Sequence, residues 1–169
     1  FLNKEYPYWR YCLSEQYLHL PLQIGDDHIL KLMVRKYDSS KYLTLVKEMR
    51  EKIPNLSLST DIIVGFPNES EENFNDTLTL CDEVKYENAY TFIYSPRRGT
   101  PAAKMEDNVS SKTKSLRFRE LVKRLEKYME IDANNYIGKT CKVLVDGESK
   151  TDQNMLSGYC FFKVFLCGG

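Results

Sequence analysis

The chain has 169 residues, 42% hydrophobic and 28% charged, with 24 basic and 24 acidic side chains and a formal net charge of zero. That composition fits a soluble globular chain of one ordinary domain, or one and a half small ones, and excludes a disordered polyelectrolyte; the zero balance supplies no global field for nucleic acid. No apolar run approaches the roughly 18 residues of a membrane span, no basic-then-apolar leader opens the chain, and the cysteines at 12, 81, 141, 160 and 167 are too irregularly spaced for a disulfide framework, so the expected compartment is a reducing cytoplasm.

The chain opens in an aromatic stretch, Tyr6-Pro7-Tyr8-Trp9, and closes at Cys167-Gly168-Gly169 after an apolar run; both ends read as cut from something longer. Gln16 to Gln23 reads as a short strand. Asp26 and Asp27 are placed to cap a short helix carrying Ile29, Leu30 and Met33. Asp38 is placed to cap a longer one with Tyr42, Leu45, Val46, Met49 and Ile53 on one face, stopped by Pro54. Ser57 to Val64 is a strand broken by Gly65-Phe66-Pro67. Asn68 and Glu71 have the spacing of a capping box for a helix that turns Phe74, Leu78, Cys81 and Val84 inward. Ala89 to Ser95 is a third strand, followed by a loop rich in Pro, Arg and Gly. Ser110 to Asn135 is a long amphipathic helix with Phe118, Leu121, Val122, Leu125 and Met129 on its apolar side. Alternation of this kind predicts a parallel sheet, either open or one half of a larger barrel. Beyond Tyr136 the period changes. Cys141 to Val145 reads as a strand, Asp146-Gly147 as a hairpin turn, and Ser157 to Leu166 as a second strand, the start of a small all-β module.

Charge is uneven along this order. Acids dominate from Asp61 to Glu87, with Lys85 the one base, and bases dominate from Lys112 to Lys127, against Glu120 and Glu126. Solvated helix surface accounts for both runs; the basic helix is also a candidate nucleic-acid contact, with Arg117, Lys123 and Arg124 the residues to carry it, Arg117 and Arg124 lying two turns apart on one side.

Strand parity points to a site. Leu18, Leu20 and Leu22 share one side of the first strand, His19 and Gln23 the other. Leu58, Ile62 and Val64 share one side of the second, and Ser57, Ser59 and Asp61 the other, with Thr60 and Ile63 outside that division. In the third, Ile93 opposes Tyr90, Phe92 and Tyr94. A parallel sheet covered on both sides would be apolar on both. Here one side carries His, Gln, Ser and Asp toward the strands' C-terminal ends, where α/β folds place their sites, the alternative being the wet face of an incomplete sheet. The Gly65–Glu69 turn precedes a helix N-terminus and offers backbone N–H groups to an anion, and Arg97 in the loop after the third strand has the fork to hold a carboxylate or phosphate.

Four segments then occur in a specific order: His19-Leu20-Pro21-Leu22-Gln23-Ile24-Gly25-Asp26; Leu30-Lys31-Leu32-Met33-Val34-Arg35-Lys36-Tyr37; Leu58-Ser59-Thr60-Asp61-Ile62-Ile63-Val64-Gly65-Phe66-Pro67; and Phe92-Ile93-Tyr94-Ser95-Pro96-Arg97-Arg98-Gly99-Thr100-Pro101-Ala102-Ala103. Together they resemble the methylthiotransferases of the radical S-adenosylmethionine superfamily, over about residues 17 to 158. The resemblance implies an α/β fold, the second half of a partial (βα)6 barrel with its last helix over residues 1–135, followed by an incomplete TRAM-like β module over residues 136–169. It implies a transferase acting on tRNA at the anticodon stem-loop, adding a methylthio group at C2 of N6-isopentenyladenosine, as a monomer and without a membrane. Related alternatives are action on a ribosomal protein or another modified adenosine, and, from a different class, a non-catalytic RNA-binding remnant. The family's cofactors would be S-adenosylmethionine and [4Fe–4S] clusters. Gln23, Ser59 and Asp61 would face the cofactor inside the barrel, with Tyr94 and Arg97 at its mouth.

The departures are specific. The Cys-x3-Cys-x2-Cys motif that holds the family's catalytic cluster is not in these 169 residues, and no two cysteines lie closer than Cys160 and Cys167. No residue is therefore assigned to metal or to catalysis, and the chain alone is expected to be inactive. Ile24 stands where the family usually carries serine, and Tyr159 to Leu166 loses the polar pattern of the β module.

Overall fold

The computed structural model describes residues 17–134, 137–140, 144–149, 152, 154–159 and 164–168. The aromatic opening, Cys12, Gln16, Asn135, Tyr136 and the segments 141–143 and 160–163 lie outside the described residues. The order is β1 (Tyr17–His19), α1 (Asp27–Leu32), α2 (Ser39–Lys52), β2 (Ser57–Val64), α3 (Glu71–Val84), β3 (Asn88–Ile93), a short 3-10 turn (Pro101–Lys104) and α4 (Ser111–Asn134), then β4 (Leu144–Glu148), β5 (Met155–Tyr159) and β6 (Val164–Gly168).

β1, β2 and β3 form a parallel sheet in that order. β1 is shorter than the apolar alternation suggested. Pro21 has no N–H to give a ladder, and the Leu22 N–H donates instead to the Thr60 hydroxyl at 2.9 Å. The chain rejoins β2 at Gln23, which bridges Ile62 with φ at 70°. Thr60 therefore belongs to the helix-covered side of β2 after all, a buried polar residue satisfied where the neighbouring strand breaks.

That side builds the main core. Leu22, Leu58, Ile62 and Val64 pack with Tyr42, Val46 and Met49 of α2, Phe74, Leu78 and Cys81 of α3, and Leu121 and Leu125 of α4. A second cluster joins Ile24, Ile29, Leu30 and Phe66. The helices start as their caps dictate: Asp26 accepts from the Ile29 N–H and Asp38 from the Lys41 N–H. α3 corrects the sequence expectation. Asn68 sits at φ 67° in the turn that follows Pro67, so the capping box is made two residues later, reciprocally by Ser70 and Asn73.

β4, β5 and β6 form a separate antiparallel sheet. Asp146-Gly147 is not a hairpin turn but an irregularity inside β4: Val145 pairs with Gly158 and Gly147 with Ser157, leaving one extra residue on the β4 side. The reversal comes between Ser149 and Met155, where the Ser149 N–H donates to the Met155 carbonyl at 2.8 Å. Residues expected to form one strand from Ser157 to Leu166 instead divide between β5 and β6. Among the described residues no helix is long and apolar enough to cross a membrane.

Candidate functional site at the strand ends

Because residues in parallel register point to the same side, Asp61 with Tyr90 and Ile63 with Phe92 share the side of the sheet away from the main core. Ser59 lies on it too, beside His19. The expected division of β2 holds: Leu58 and Ile62 pack under the helices, while Ser59 and Asp61 face away.

The polar groups on this open side are connected. The Tyr17 hydroxyl donates to Ser59 Oγ at 2.7 Å, Ser59 Oγ lies 2.9 Å from His19 Nδ1, and His19 Nε2 lies 3.4 Å from Asp61 Oδ2. With the imidazole proton on Nε2, every link from Tyr17 to Asp61 runs one way and ends on a half-exposed carboxylate. His19 also meets the Tyr90 ring edge-on, centroids 6.0 Å apart. Gln23 reaches the same strand through its backbone. Its N–H donates to the Asp61 carbonyl and its carbonyl accepts from the Ile63 N–H, both at 2.8 Å, while Arg35 Nη2 donates to its side-chain oxygen at 3.1 Å.

A second polar group holds the loop at the end of β2. The Glu69 side chain is fully buried. One oxygen accepts from the Gly65 N–H at 2.8 Å and from Arg117 Nη1 at 2.7 Å, and the other has no partner. Burial, the largest influence, pushes this carboxyl above its ordinary range, opposed by the Gly65 N–H and Arg117. Lys114 runs past Gly65 so closely that a Cβ there would run into its Cγ, which reserves the position for glycine at φ 74°. Lys114 continues over the Tyr94 ring, 5.5 Å from its centroid, to the Asp107 carboxylate. Tyr94 in turn packs edge-on against Phe66 at 5.0 Å, its hydroxyl buried without a partner.

Of the residues singled out from sequence, Ser59 and Asp61 lie on β2 and Gln23 in the segment after β1 that bridges to it. Tyr94 belongs to the neighbouring group around Phe66, and Arg97 is exposed in the loop beyond it. Arg117 and Arg124 are each engaged within the fold, on Glu69 and Asp82, and Lys123 between them is exposed. Glu69 was missed. It reads as one more acid in an acidic run, and its signal is positional: a carboxylate four residues after a strand-ending glycine, just before a Ser-x-x-Asn cap. Ile24 is fully buried against Phe66, so the serine position of the pattern is part of the second core here.

The described residues do not fit a metal cluster. No group of three or more His, Cys, Asp or Glu among them is placed to hold an ion. Cys81 is buried on the inner side of α3, and burial pushes its thiol up to about 12, the reverse of what a thiolate ligand needs. Cys12, Cys141, Cys160 and the Cys167 side chain lie outside what is described.

Residues 13–81 match the model of the Radical SAM superfamily. The chain is 52% identical over 143 residues to tRNA-2-methylthio-N(6)-dimethylallyladenosine synthase of Staphylococcus aureus strain JH9, covering 85% of this chain and 28% of that protein, and equally to that of strain Newman. The chain thus spans under a third of the length of these curated relatives. Among solved structures, coproporphyrinogen III oxidase of Escherichia coli, described as a radical SAM enzyme, superposes with a TM-score of 0.56 at 25% identity, over 67% of this chain and 27% of that one.

Proposed function

Since this chain belongs to the radical S-adenosylmethionine methylthiotransferase family, we propose that residues 1–135 are the C-terminal half of its partial (βα)6 barrel and residues 136–169 the start of a TRAM-like module that grips tRNA. The full-length protein would place a methylthio group at C2 of N6-isopentenyladenosine beside the anticodon, working as a cytoplasmic monomer on the anticodon stem-loop. The observation that carries this reading is the linked set Tyr17, Ser59, His19 and Asp61, gathered on the uncovered side of a parallel sheet.

The donor set suits S-adenosylmethionine. The Asp61 carboxylate matches ribose hydroxyls or the amino group, with Ser59, fully buried and engaged by Tyr17, holding His19 beside it, and Arg35, held by Gln23, is of the right charge for the cofactor's carboxylate. When bound at a [4Fe–4S] cluster, that cofactor supplies radical chemistry. This chain's own residues would bind and orient: Asp61 from β2, with Ser59 positioning His19 beside it, Gln23 from the segment after β1, Tyr94 and Arg97 at the mouth. Glu69 and Arg117 would keep the Gly65–Phe66–Pro67 turn in place beneath them. With Arg117 and Arg124 engaged on carboxylates, RNA contact from α4 would fall first to Lys123 and the exposed Lys112, Arg119 and Lys127.

The cluster ligands would come from the part of the relatives that this chain does not span. Anaerobic reconstitution of the 169-residue chain with iron and sulfide is therefore expected to leave well under one cluster per chain and to form no 5′-deoxyadenosine from S-adenosylmethionine under reduction. About four irons per chain with reductive cleavage of the cofactor would contradict this division of labour.

A further inference from the structure

We propose that the chain pairs with a second copy of itself, the exposed side of α3 lying against the exposed side of α4 of the other copy, with the contact repeated around a two-fold axis. Glu72, Asp76, Thr79 and Glu83 are all exposed on α3, and Lys112, Leu116, Arg119 and Lys123 are all exposed on α4. Both sets are spaced four, three and four residues apart, so each forms one stripe along its helix. From first to last each stripe runs 11 residues, about 16–17 Å of helix. The charged ends therefore coincide: when Glu72 meets Lys112, Glu83 meets Lys123. Beyond the basic stripe Glu126 and Glu130 mix with Lys127, which confines the contact to the first turns of α4.

The fold leaves these charges over. The other cations of α4, Lys114, Arg117 and Arg124, are taken by Asp107, Glu69 and Asp82. Among the described residues, the acids of the α3 stripe and the bases of the α4 stripe make no ion pair within the chain. The acids also crowd one another: burial, then Asp26 and Glu72, hold the Asp76 carboxyl above its ordinary range, which a cation from outside would relieve. A formal net charge of zero leaves no overall repulsion between copies. Leu116, 51% exposed, interrupts the basic stripe with an apolar side chain. Asp76 and Thr79 border an open cleft of about 320 Å³ whose lining includes Leu43 and Leu80, an apolar surface for that leucine. A nucleic-acid backbone would answer the cations but not Leu116; a second copy answers both. The function proposed above gives Lys112, Arg119 and Lys123 to RNA, so the two uses exclude each other. The pair is the RNA-free form and the form working on RNA is the monomer. The pairing itself does not rest on that function.

The test is sedimentation equilibrium of the whole chain. At about 0.1 M salt, where charges reach about 10 Å, the mass is expected to rise with concentration from one chain toward two. At about 1 M, where they reach about 3 Å, it should stay at one. Glu72→Lys with Glu83→Lys reverses the acidic stripe, and Lys112→Glu with Lys123→Glu reverses the basic one. Each double variant alone should be a monomer at both salt concentrations. An equal mixture of the two should pair again, because each then carries the stripes that the other needs. All four positions are exposed, so both variants should keep the wild-type circular dichroism and unfolding midpoint. A wild-type chain that stays at one mass at low salt overturns the proposal. So does association that survives both reversals, which would place the contact elsewhere, and so does a mixture that stays monomeric. An anticodon stem-loop RNA added at low salt should return the wild-type pair to monomers. If it leaves the pair intact, the RNA role of α4 fails while the pairing stands.

Discussion

Replacing Glu69 by alanine is expected to cost about 3–5 kcal/mol of unfolding free energy, measured by urea titration of the chain's circular dichroism. The Glu69 side chain is fully buried and that of Arg117 is 11% exposed. Removing the carboxylate strands the guanidinium in the protein interior and leaves the Gly65 N–H without its acceptor. Arg117 also donates to the Glu69 backbone carbonyl at 2.9 Å, so its position survives but its charge is unanswered. Adding Arg117→Ala to Glu69→Ala should cost less than the sum of the two single changes. Glu69→Gln adds a pH signature. Burial raises the folded-state carboxyl above its unfolded value of 4.5, so the folded chain binds that proton more tightly. The stability this group contributes is then fully present below pH 4.5 and is lost as pH rises through the raised folded value. The glutamine variant should lack that component of the pH profile. A loss below about 1 kcal/mol for the alanine variant would mean that the loop is held by other contacts.

The second large effect is expected at Tyr86, fully buried just after α3. Tyr86→Ala removes a ring from the main core and should cost about 3–5 kcal/mol, by the same urea titration. The hydroxyl is a smaller part of this. It donates to the Tyr42 hydroxyl at 2.9 Å, which in turn donates to the Leu20 carbonyl at 2.8 Å, so a chain of two phenols ties α2 to the end of β1. Burial pushes both phenols up, so both remain protonated donors across the working pH range. Tyr86→Phe keeps the ring and should cost about 0.5–1.5 kcal/mol. Near-equal losses in the two variants would place the energy in the hydrogen-bond chain rather than in packing.

Periodicity marked what depends on a single element. The alternation Leu58, Ile62, Val64 against Ser59 and Asp61 was enough to orient β2, because a one-residue slip would have exchanged its sides. Asp26 and Asp38 announced their helices because each stands directly before an apolar period with nothing competing for it. Two expectations failed where a neighbour decides. Asn68 has a capping residue's chemistry, but its backbone is taken up by the turn after Pro67, and Ser70 caps instead. Asp146-Gly147 has a hairpin turn's chemistry, yet β5 pairs straight past it. Thr60 looked misplaced because its partner, the Leu22 N–H, lies in the segment after β1, where Pro21 breaks the ladder.

The site was legible to the same extent. Ser59 and Asp61 followed from parity and Gln23 from its segment, but the link from Tyr17 through His19 depends on the lateral register of β1 on β2, which no local pattern encodes. Arg117 and Arg124 looked like free cations because their carboxylate partners lie 48 and 42 residues away in sequence, on the loop before α3 and on α3 itself. Pairings over such separations follow from the packing of α4 on α3 and become visible only with the fold.

The most direct test of the account replaces the matched 143 residues of the Staphylococcus aureus relative with the corresponding residues of this chain. The hybrid is expressed in a strain lacking its own synthase, and the tRNA nucleosides are analysed by mass spectrometry. The account predicts that the 2-methylthio derivative of N6-isopentenyladenosine reappears, and that Asp61→Ala in the hybrid abolishes it without loss of the iron–sulfur clusters. A folded, cluster-bearing hybrid that leaves N6-isopentenyladenosine unmodified would contradict it.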